Sequence, residues 1–364
     1  MKYDFDEHMD FRTAPVIVDA LHRRVEHGIF GYTRVPDSYY ETVIDWFVHR
    51  HGWKMDREWI IYTSGVVPAV SAIIKALTVP GDKVLVQTPV YNCFFSSIRN
   101  NGCEMVSSPL VFADHTYTID YEDLERKAAD PKIKVMLLCN PHNPAGRVWK
   151  REELVHIGEI CIRHGVTVVS DEIHCELVFP GYCYTPFASI SEDFLRHSVT
   201  CISPSKAFNI AGLQIANIVC ANADRRARID RAINDNEVCD VNPFGVIATQ
   251  AAYNEGKEWL DQLIEYLHAN YLYMRDFCRE HLPEFPVILP NKPYRHPRKR
   301  NIPLTNEKVK SVIEGLGRDA KIVLYQGGIG KERYLRPVAR AVSELGRPWK
   351  LVIQGILMGT EDNT

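Results

Sequence analysis

Short apolar runs alternate with helical patterns along most of this 364-residue chain, and this alternation restricts the possible folds more than any other feature. Four of the runs are mostly apolar and have the length of a strand: Val135–Cys139, Val166–Val169, Val199–Ile202 and Ile215–Cys220. Continuous apolar strands are typical of parallel sheets with both faces covered by helices. We therefore predict an α/β protein, with a mostly parallel central sheet between two layers of helices.

Periodicity locates three helices and one further strand. The first helix is expected to begin at a Thr13 cap and to end at Gly28. A second begins near Pro68 and leads into the strand Lys83–Val86, and a third, long and amphipathic, follows much later in the chain. Their apolar positions are Val18, Leu21 and Val25 in the first, Val70, Ile73, Ile74 and Leu77 in the second, and Leu260, Leu263, Ile264, Leu267 and Tyr271 in the third.

The length predicts two domains, at about 150 residues per domain. We place a large domain at residues 30–260 and a smaller α+β domain at residues 1–29 and 261–364. The small domain is atypical from about residue 291, because Asn291–Arg300 carries five basic residues where a strand is expected. We interpret this segment as a solvated loop rather than a nucleic-acid patch, since one short basic stretch is weak evidence.

Charge and cysteine content narrow the class of partner. Lys plus Arg number 43 against 46 Asp plus Glu, so no overall positive field favours nucleic acid or a membrane surface. No apolar run approaches the roughly 18 residues that span a bilayer, and the acidic first ten residues do not resemble a secretory signal. The ten cysteines form no Cys-x-x-Cys pair. We expect reduced thiols, no metal site, a cytoplasmic location and a small-molecule substrate.

Three polar residues each follow an apolar run: Asn143, Asp171 and Lys206. The carboxyl ends of parallel strands line the crevice in which open sheets bind ligands, so these side chains are expected to converge. An amide, a carboxylate and a lysine suit pyridoxal phosphate (PLP), in which they would contact the ring hydroxyl, the pyridine nitrogen and the aldehyde carbon. The spacing alone leaves open that they are ordinary surface residues.

The local sequence around these residues is more specific. Cys139–Gly146, Ser170–His174 and Ser203–Asn209 occur in this order, with 28 residues from Asn143 to Asp171 and 35 more to Lys206. The chain resembles the fold type I PLP-dependent enzymes, the aspartate aminotransferase superfamily. Within it, the chain is similar to the cystathionine beta-lyase and cysteine desulfhydrase branch, which includes the maltose-regulon modulator and cystalysin. Further segments typical of that branch are Gly31–Thr33, Ser64–Pro68, Thr88–Tyr91 and Gly181–Tyr182.

The resemblance implies roles for individual residues. Lys206 would be the Schiff-base lysine, Asp171 the partner of the pyridine nitrogen, and Asn143 the contact to the ring hydroxyl and the substrate. Tyr91 would stack on the cofactor ring and act in catalysis, although an aromatic residue there is also compatible with core packing. His174 would support the same side of the ring, and is equally compatible with a buried, hydrogen-bonded histidine.

The phosphate group would lie at the start of the second helix. Gly65, Val66 and Val67 precede or begin that helix, where free backbone N–H groups and the helix dipole favour an anion. Ser203 and Ser205 would add hydroxyl donors.

The resemblance also implies contributions from outside the large domain. Tyr32 would reach the phosphate in the neighbouring subunit of a homodimer. Arg336 would bind the substrate carboxylate through its guanidinium group, with Arg333 as the alternative. The family's N-terminal segment, which covers the substrate entrance, is shortened here to the few residues before His8.

The activity implied by the resemblance is PLP-dependent β-elimination from cystathionine- or cysteine-type amino acids, with release of a thiol, pyruvate and ammonia. The same residues would serve a class I/II aminotransferase, which is the alternative reaction. A third possibility is a PLP-binding regulatory protein with little turnover, because one member of the branch modulates a transcription activator.

Overall fold

The computed structural model describes Met9 and residues 11–113, 116–235, 240–281, 321–326 and 349–354. The chain divides into two compact units, Met1–Arg295 and His296–Thr364. The helices described in the first unit are α1 Pro15–His27, α2 Asp37–His51, α3 Val66–Leu77, α4 Cys93–Asn100, α5 Tyr121–Ala128, α6 Arg151–Arg163, α7 Glu192–His197, α8 Ala223–Asn234, α9 Pro243–Glu255 and α10 Lys257–His281.

A seven-stranded sheet forms the centre of the first unit, in the order β1-β9-β8-β7-β6-β2-β3. Neighbouring strands run parallel from β8 to β3, whereas β9 is antiparallel to both β8 and β1. This confirms the predicted α/β class with a mostly parallel sheet. The strands are β1 Ile60–Thr63, β2 Lys83–Val86, β3 Glu104–Ser107, β6 Ile133–Cys139, β7 Thr167–Asp171, β8 Ser198–Ile202 and β9 Ala216–Val219, and a separate hairpin pairs β4 Val111–Ala113 with β5 Thr116–Thr118.

Helices cover both faces of this sheet, as β6 shows most clearly. Val135, Leu137 and Cys139 pack into one core with α3, α4 and α8. The intervening residues Met136 and Leu138 pack into a second core with α5, α6 and α7. Because neither face of this part of the strand is exposed to water, apolar and polar residues do not alternate along it. This explains the continuous apolar run Val135–Cys139. A third core joins α1, α2 and α9.

The first helix differs from its prediction at one end and on one face. Ala14, not Thr13, occupies the N-cap position, and no side chain caps the helix. Pro15 occupies the first turn of the helix, where backbone N–H groups have no partner within the helix. Because proline has no N–H, one fewer group needs a side-chain cap. The C-terminal prediction is confirmed, because Gly28 has a left-handed backbone (φ 72°). Ile17 and Ala20 form the buried face, whereas the predicted core residue Val25 is 54% exposed.

The other predicted elements agree with the structure. Strand β2 has the predicted bounds, and helix α3 buries Val70, Ile73 and Ile74 as its periodicity indicated. Helix α10 buries Leu260, Leu263 and Leu267.

The second unit contains a parallel pair of strands, β10 Lys321–Gln326 and β11 Trp349–Gln354. The basic segment Asn291–Arg300 lies outside the described residues. The assignment of residues 1–29 and 261–364 to one small domain stays a prediction. Among the described helices, none combines the length and apolar character needed to cross a bilayer.

Candidate active site

The carboxyl ends of β6, β7 and β8 bring the predicted trio to one edge of the sheet. Asp171 is the last residue of β7 and pairs in register with Cys139 on one side and Cys201 on the other. Asn143 follows Cys139 by four residues, and Lys206 follows Cys201 by five. Adjacent parallel strands therefore start the two loops that carry the amide and the lysine on either side of the carboxylate.

The buried thiol of Cys139 lies where several predicted site residues meet. Burial raises its pKa well above the usual value, and the negative charge of Asp171 raises it further. Backbone hydrogen bonds from Asn143 and Tyr91 act in the opposite direction. The backbones of both Asn143 and Tyr91 therefore approach one sulfur atom, which places the loop after β2 beside the loop after β6.

Asp171 is a buried acid with an unusual titration. Its side chain is 6% exposed, and its carboxylate Oδ1 accepts a hydrogen bond from the Ile173 N–H at 3.2 Å. Desolvation raises the pKa of Asp171 to about 7, the Glu172 charge adds to this, and the Ile173 N–H and the Lys206 ammonium oppose it. A cation placed against this carboxylate would hold it ionised at neutral pH. The site therefore fits a protonated ring nitrogen.

Lys206 lies within electrostatic reach of two site residues, because its charge lowers the pKa of both Asp171 and His174. Burial is the larger cause for His174 and brings its pKa to about 4. The imidazole of His174 is therefore neutral at neutral pH and stands on the same side of the sheet edge as the lysine and the carboxylate.

The loop that presents Lys206 is held by side chains at both ends. The Ser203 hydroxyl donates to the Ile215 carbonyl at 2.7 Å and accepts from the Ser205 N–H at 3.1 Å. The predicted role of Ser203 as a hydroxyl donor to phosphate stays a prediction. The contacts of Ser203 shape the turn before the lysine, and Ser205 is buried within that turn.

The N-terminus of α3 matches the predicted anion site. Gly65 is the N-cap, and no side chain satisfies the first N–H groups of the helix, which begins at Val66. Pro68 has no N–H, and the Ala69 N–H bonds back to the Gly65 carbonyl. The backbone N–H groups of Gly65, Val66 and Val67 are thus the ones that a phosphate would meet. Because β1 runs in the same direction as β8, α3 begins at the sheet edge that carries Asp171.

Tyr32 does not join this cluster within its own chain. Its side chain is 97% exposed, and the neighbouring Ile29 and Phe30 are also exposed. The two arginines predicted for the substrate carboxylate, Arg336 and Arg333, lie outside the described residues.

Glu172 is a buried anchor that sequence reasoning missed. Its carboxylate accepts hydrogen bonds from Ser170 Oγ at 2.7 Å, the Phe187 N–H at 2.9 Å and Asn140 Nδ2 at 3.2 Å, and also from the Tyr184 hydroxyl. Glu172 directly follows Asp171, the last residue of β7. The sequence did contain a signal for this residue, namely two adjacent acids, Asp171 and Glu172, at the end of an apolar run. If both are buried, each needs its own hydrogen-bond partners.

Asn209 is a second missed residue, in the loop after Lys206. Its backbone is left-handed (φ 55°), and its side-chain amide donates to the carbonyls of Met9 and Phe11 at 2.8 and 2.7 Å. The Met9 N–H returns a bond of 3.3 Å to Asn209 Oδ1. These bonds hold the N-terminal segment next to the loop that carries the lysine.

One further group, His51, Cys175 and Glu176, has the residue types of a metal site. The Glu176 carboxylate is already paired with Arg50 and His51, and it accepts a bond from Trp46 Nε1 at 2.7 Å. Burial raises the pKa of Glu176, but His51 and Arg50 outweigh burial and lower it overall. We interpret the group as an ion-pair network that ties α2 to the loop after β7.

Comparison with known proteins agrees with this fold and site. The family model for aminotransferase class I and II matches residues 2–296, and the chain belongs to this family. It is 46% identical over 286 residues to cystathionine beta-lyase PatB of Bacillus subtilis, covering 79% of this chain and 74% of that protein. It is 33% identical to protein MalY of Escherichia coli, covering 79% and 73%.

Solved structures give the same result. Cystalysin from Treponema denticola, whose crystal structure contains a pyridoxal 5'-phosphate cofactor, superposes with a TM-score of 0.75 and 37% identity, over 77% of this chain and 71% of that one. A PLP-bound C-S lyase from Staphylococcus hominis has a TM-score of 0.73 and 36% identity, over 77% and 72%. The resemblance inferred from the motifs is thereby confirmed.

Proposed function

We propose that this protein is a PLP-dependent carbon–sulfur β-lyase that acts on cystathionine- or cysteine-type amino acids. The observation that carries the proposal is the convergence of Lys206, Asp171, Asn143 and Tyr91 at one sheet edge, in a chain whose relatives include a cystathionine beta-lyase. The products are a thiol, pyruvate and ammonia.

The residues at this edge fit PLP as a set. Lys206 would hold the aldehyde carbon, Asp171 the ring nitrogen, Asn143 the ring hydroxyl, and the N-terminus of α3 the phosphate. Tyr91 and His174 would contact the ring. When bound, PLP supplies an aldehyde that captures the substrate amino group and a conjugated ring that accepts electrons from Cα.

The protein's own groups then account for the proton movements. The Lys206 amine would remove the proton from the substrate Cα. The Asp171 carboxylate would keep the ring nitrogen protonated, so that negative charge at Cα would be stabilised. The Cβ–S bond breaks with its electron pair on sulfur, and the thiolate takes up a proton. Water converts the released aminoacrylate to pyruvate and ammonia.

A pyruvate assay separates this proposal from its alternatives. Purified protein with PLP and cystathionine, but no added keto acid, is expected to release pyruvate, measured by a coupled lactate dehydrogenase assay. Pyruvate that forms only when a keto acid is supplied, or faster transfer of amino groups to that acid, would indicate an aminotransferase, the activity for which the matching family is named. PLP binding with no turnover of either kind would indicate a regulatory binding protein.

A homodimer with shared sites is part of the proposal. It is supported by the exposed segment in which Ile29 is 67%, Phe30 56% and Tyr32 97% exposed, since apolar side chains are rarely clustered on a surface without a partner. In the dimer, Tyr32 would reach the phosphate of the neighbouring site. A cytoplasmic location is supported by the nine cysteines of the described part, all of which are free thiols.

Complementation between inactive subunits tests the shared site. Co-expression of Tyr32→Ala and Lys206→Ala chains carrying different tags is expected to yield hybrids with one intact site, and a random mixture should recover about a quarter of wild-type activity. Lys206→Ala with Asp171→Asn is the matched control, because both residues belong to the same chain's site and no hybrid restores it. An active protein that light scattering shows to be monomeric would exclude the shared site.

A further inference from the structure

The side chain of His142 spans two loops at the sheet edge. Its ring is 2% exposed, and its Nε2 lies 2.8 Å from the Pro89 carbonyl oxygen. On its own loop, the His142 N–H donates to the Arg147 carbonyl at 2.7 Å, and its carbonyl accepts from the Gly146 N–H at 2.9 Å. The ring also meets Trp149 edge-on, with centroids 5.3 Å apart. The histidine is therefore fixed on one loop while its ring reaches the other.

The two loops joined by this bond carry two of the proposed cofactor contacts. Asn143 follows His142 directly, and Pro89 precedes Tyr91 by two residues. Both contacts lie beside the same Cys139 thiol. A change in the distance between His142 and Pro89 would therefore move the amide of Asn143 relative to the ring of Tyr91.

The hydrogen bond has a definite chemical form. Burial lowers the pKa of His142 to about 4, so its imidazole is neutral at neutral pH and carries one N–H. Nε2 lies 2.8 Å from the Pro89 oxygen and a carbonyl only accepts, so we assign the N–H to Nε2. The backbone carbonyls of Cys139 and Gln87 also act on the ring and oppose the effect of burial on its pKa, although Nδ1 forms no hydrogen bond of normal geometry. The buried ring therefore faces backbone carbonyls, and an apolar side chain would not supply Pro89 with this donor.

We propose that His142 is a positioning residue, whose Nε2–H bond to the Pro89 carbonyl sets the separation between the loop of Tyr91 and the loop of Asn143. The proposal rests on the proposed function, because the groups that it positions are the contacts to PLP. His142 itself needs no contact with the cofactor.

Two amide variants distinguish the hydrogen bond from ring packing. The Nε2 of glutamine stands at about the same distance from Cα as the Nε2 of histidine, so His142→Gln keeps a donor for Pro89. The Nδ2 of asparagine stands where Nδ1 was and does not reach. Titration of the apoprotein with PLP, followed by cofactor absorbance, is expected to show a Kd at least tenfold higher for His142→Asn, or about 1.4 kcal/mol, and within threefold of wild type for His142→Gln.

Leu124→Ala controls for a general loss of stability, because Leu124 is fully buried on α5. This variant should lower the melting temperature but leave the Kd for PLP within twofold. If His142→Asn does not fold, His142→Ala takes its place. Added imidazole should then restore PLP affinity, whereas 1-methylimidazole, which has no N–H, should not.

Each outcome decides between the explanations. Unchanged PLP affinity in both amide variants, or equal losses in both, would overturn the role of the bond. A Kd that follows the melting temperature in all variants, Leu124→Ala included, would do the same. If wild-type protein itself fails to bind PLP, the proposed function is wrong, and this result is distinct from a failure of the His142 variants alone.

Discussion

Lys206→Ala is expected to abolish the release of pyruvate, with a loss of at least about a thousandfold, because the variant lacks both the covalent attachment point and the base for the Cα proton. The loop after β8 places this lysine near the Asp171 carboxylate. The positive charge of Lys206 opposes the rise in the pKa of Asp171 that burial causes. Borohydride reduction of wild-type protein with PLP, followed by peptide mass spectrometry, should find the cofactor on Lys206.

Lys134→Ala is the matched control for this experiment. Lys134 is an exposed lysine on β6, on a strand of the same sheet but away from its carboxyl end. The Lys134→Ala variant should keep full activity, and borohydride reduction should still find the cofactor on Lys206. Wild-type protein that is supplied with PLP and gives no adduct on Lys206 would overturn the proposed function as a whole.

Asp171→Asn is expected to reduce turnover by a hundredfold or more while some PLP binding remains. The substitution keeps the shape of the side chain but removes the charge that holds the ring nitrogen protonated. Steady-state kinetics should show the loss in kcat rather than in KM alone, because the charge acts on the developing negative charge at Cα. Asp120→Asn is the control, since Asp120 caps α5 and asparagine caps a helix equally well. Near wild-type turnover in Asp171→Asn would exclude the role assigned to this carboxylate.

Asp171→Asn lowers turnover, but it is expected to stabilise the folded protein when no cofactor is bound. The pKa of Asp171 in the folded protein is about 7, above that of an unfolded aspartate, so the folded state binds more protons between about pH 4 and 7. Its contribution to stability is therefore lost as the pH rises through this range. Asp171→Asn should raise the melting temperature of the apoprotein at pH 8 and change it little at pH 4. A lower melting temperature at pH 8 would contradict the raised pKa of this buried carboxyl group.

Local sequence was sufficient for strands β2, β6, β7, β8 and β9 and for the order of the site, but it did not predict the edge strands β1 and β3. Strands β6, β7 and β8 are buried on both faces, and such strands are mostly apolar, which makes them recognisable without knowledge of their neighbours. The trio of Asn143, Asp171 and Lys206 was visible for the same reason, since a polar residue just beyond such a strand stands at the sheet edge.

Hydrogen-bond partners distant in sequence could not be predicted in this way. The Ser203 hydroxyl, for example, donates to the carbonyl of Ile215, which lies next to the strand β9 that pairs antiparallel with β8. The buried face of α1 also differed from its prediction. Ile17 and Ala20 pack in the core that includes α9, whereas Val25, which is also apolar, is exposed.

The amino-acid sequence by itself determined the fold class, the family and the residues that we propose as cofactor contacts, because periodicity, strand ends and local motifs are properties of neighbouring residues. Only the tertiary structure decided how those residues are held. The Glu172 carboxylate binds groups from two distant segments, Asn209 ties the N-terminal segment to the lysine loop, and His142 reaches Pro89 across 53 residues of chain. A buried polar atom takes whichever partner packing brings within about 3 Å, and that proximity arises only when the chain is folded.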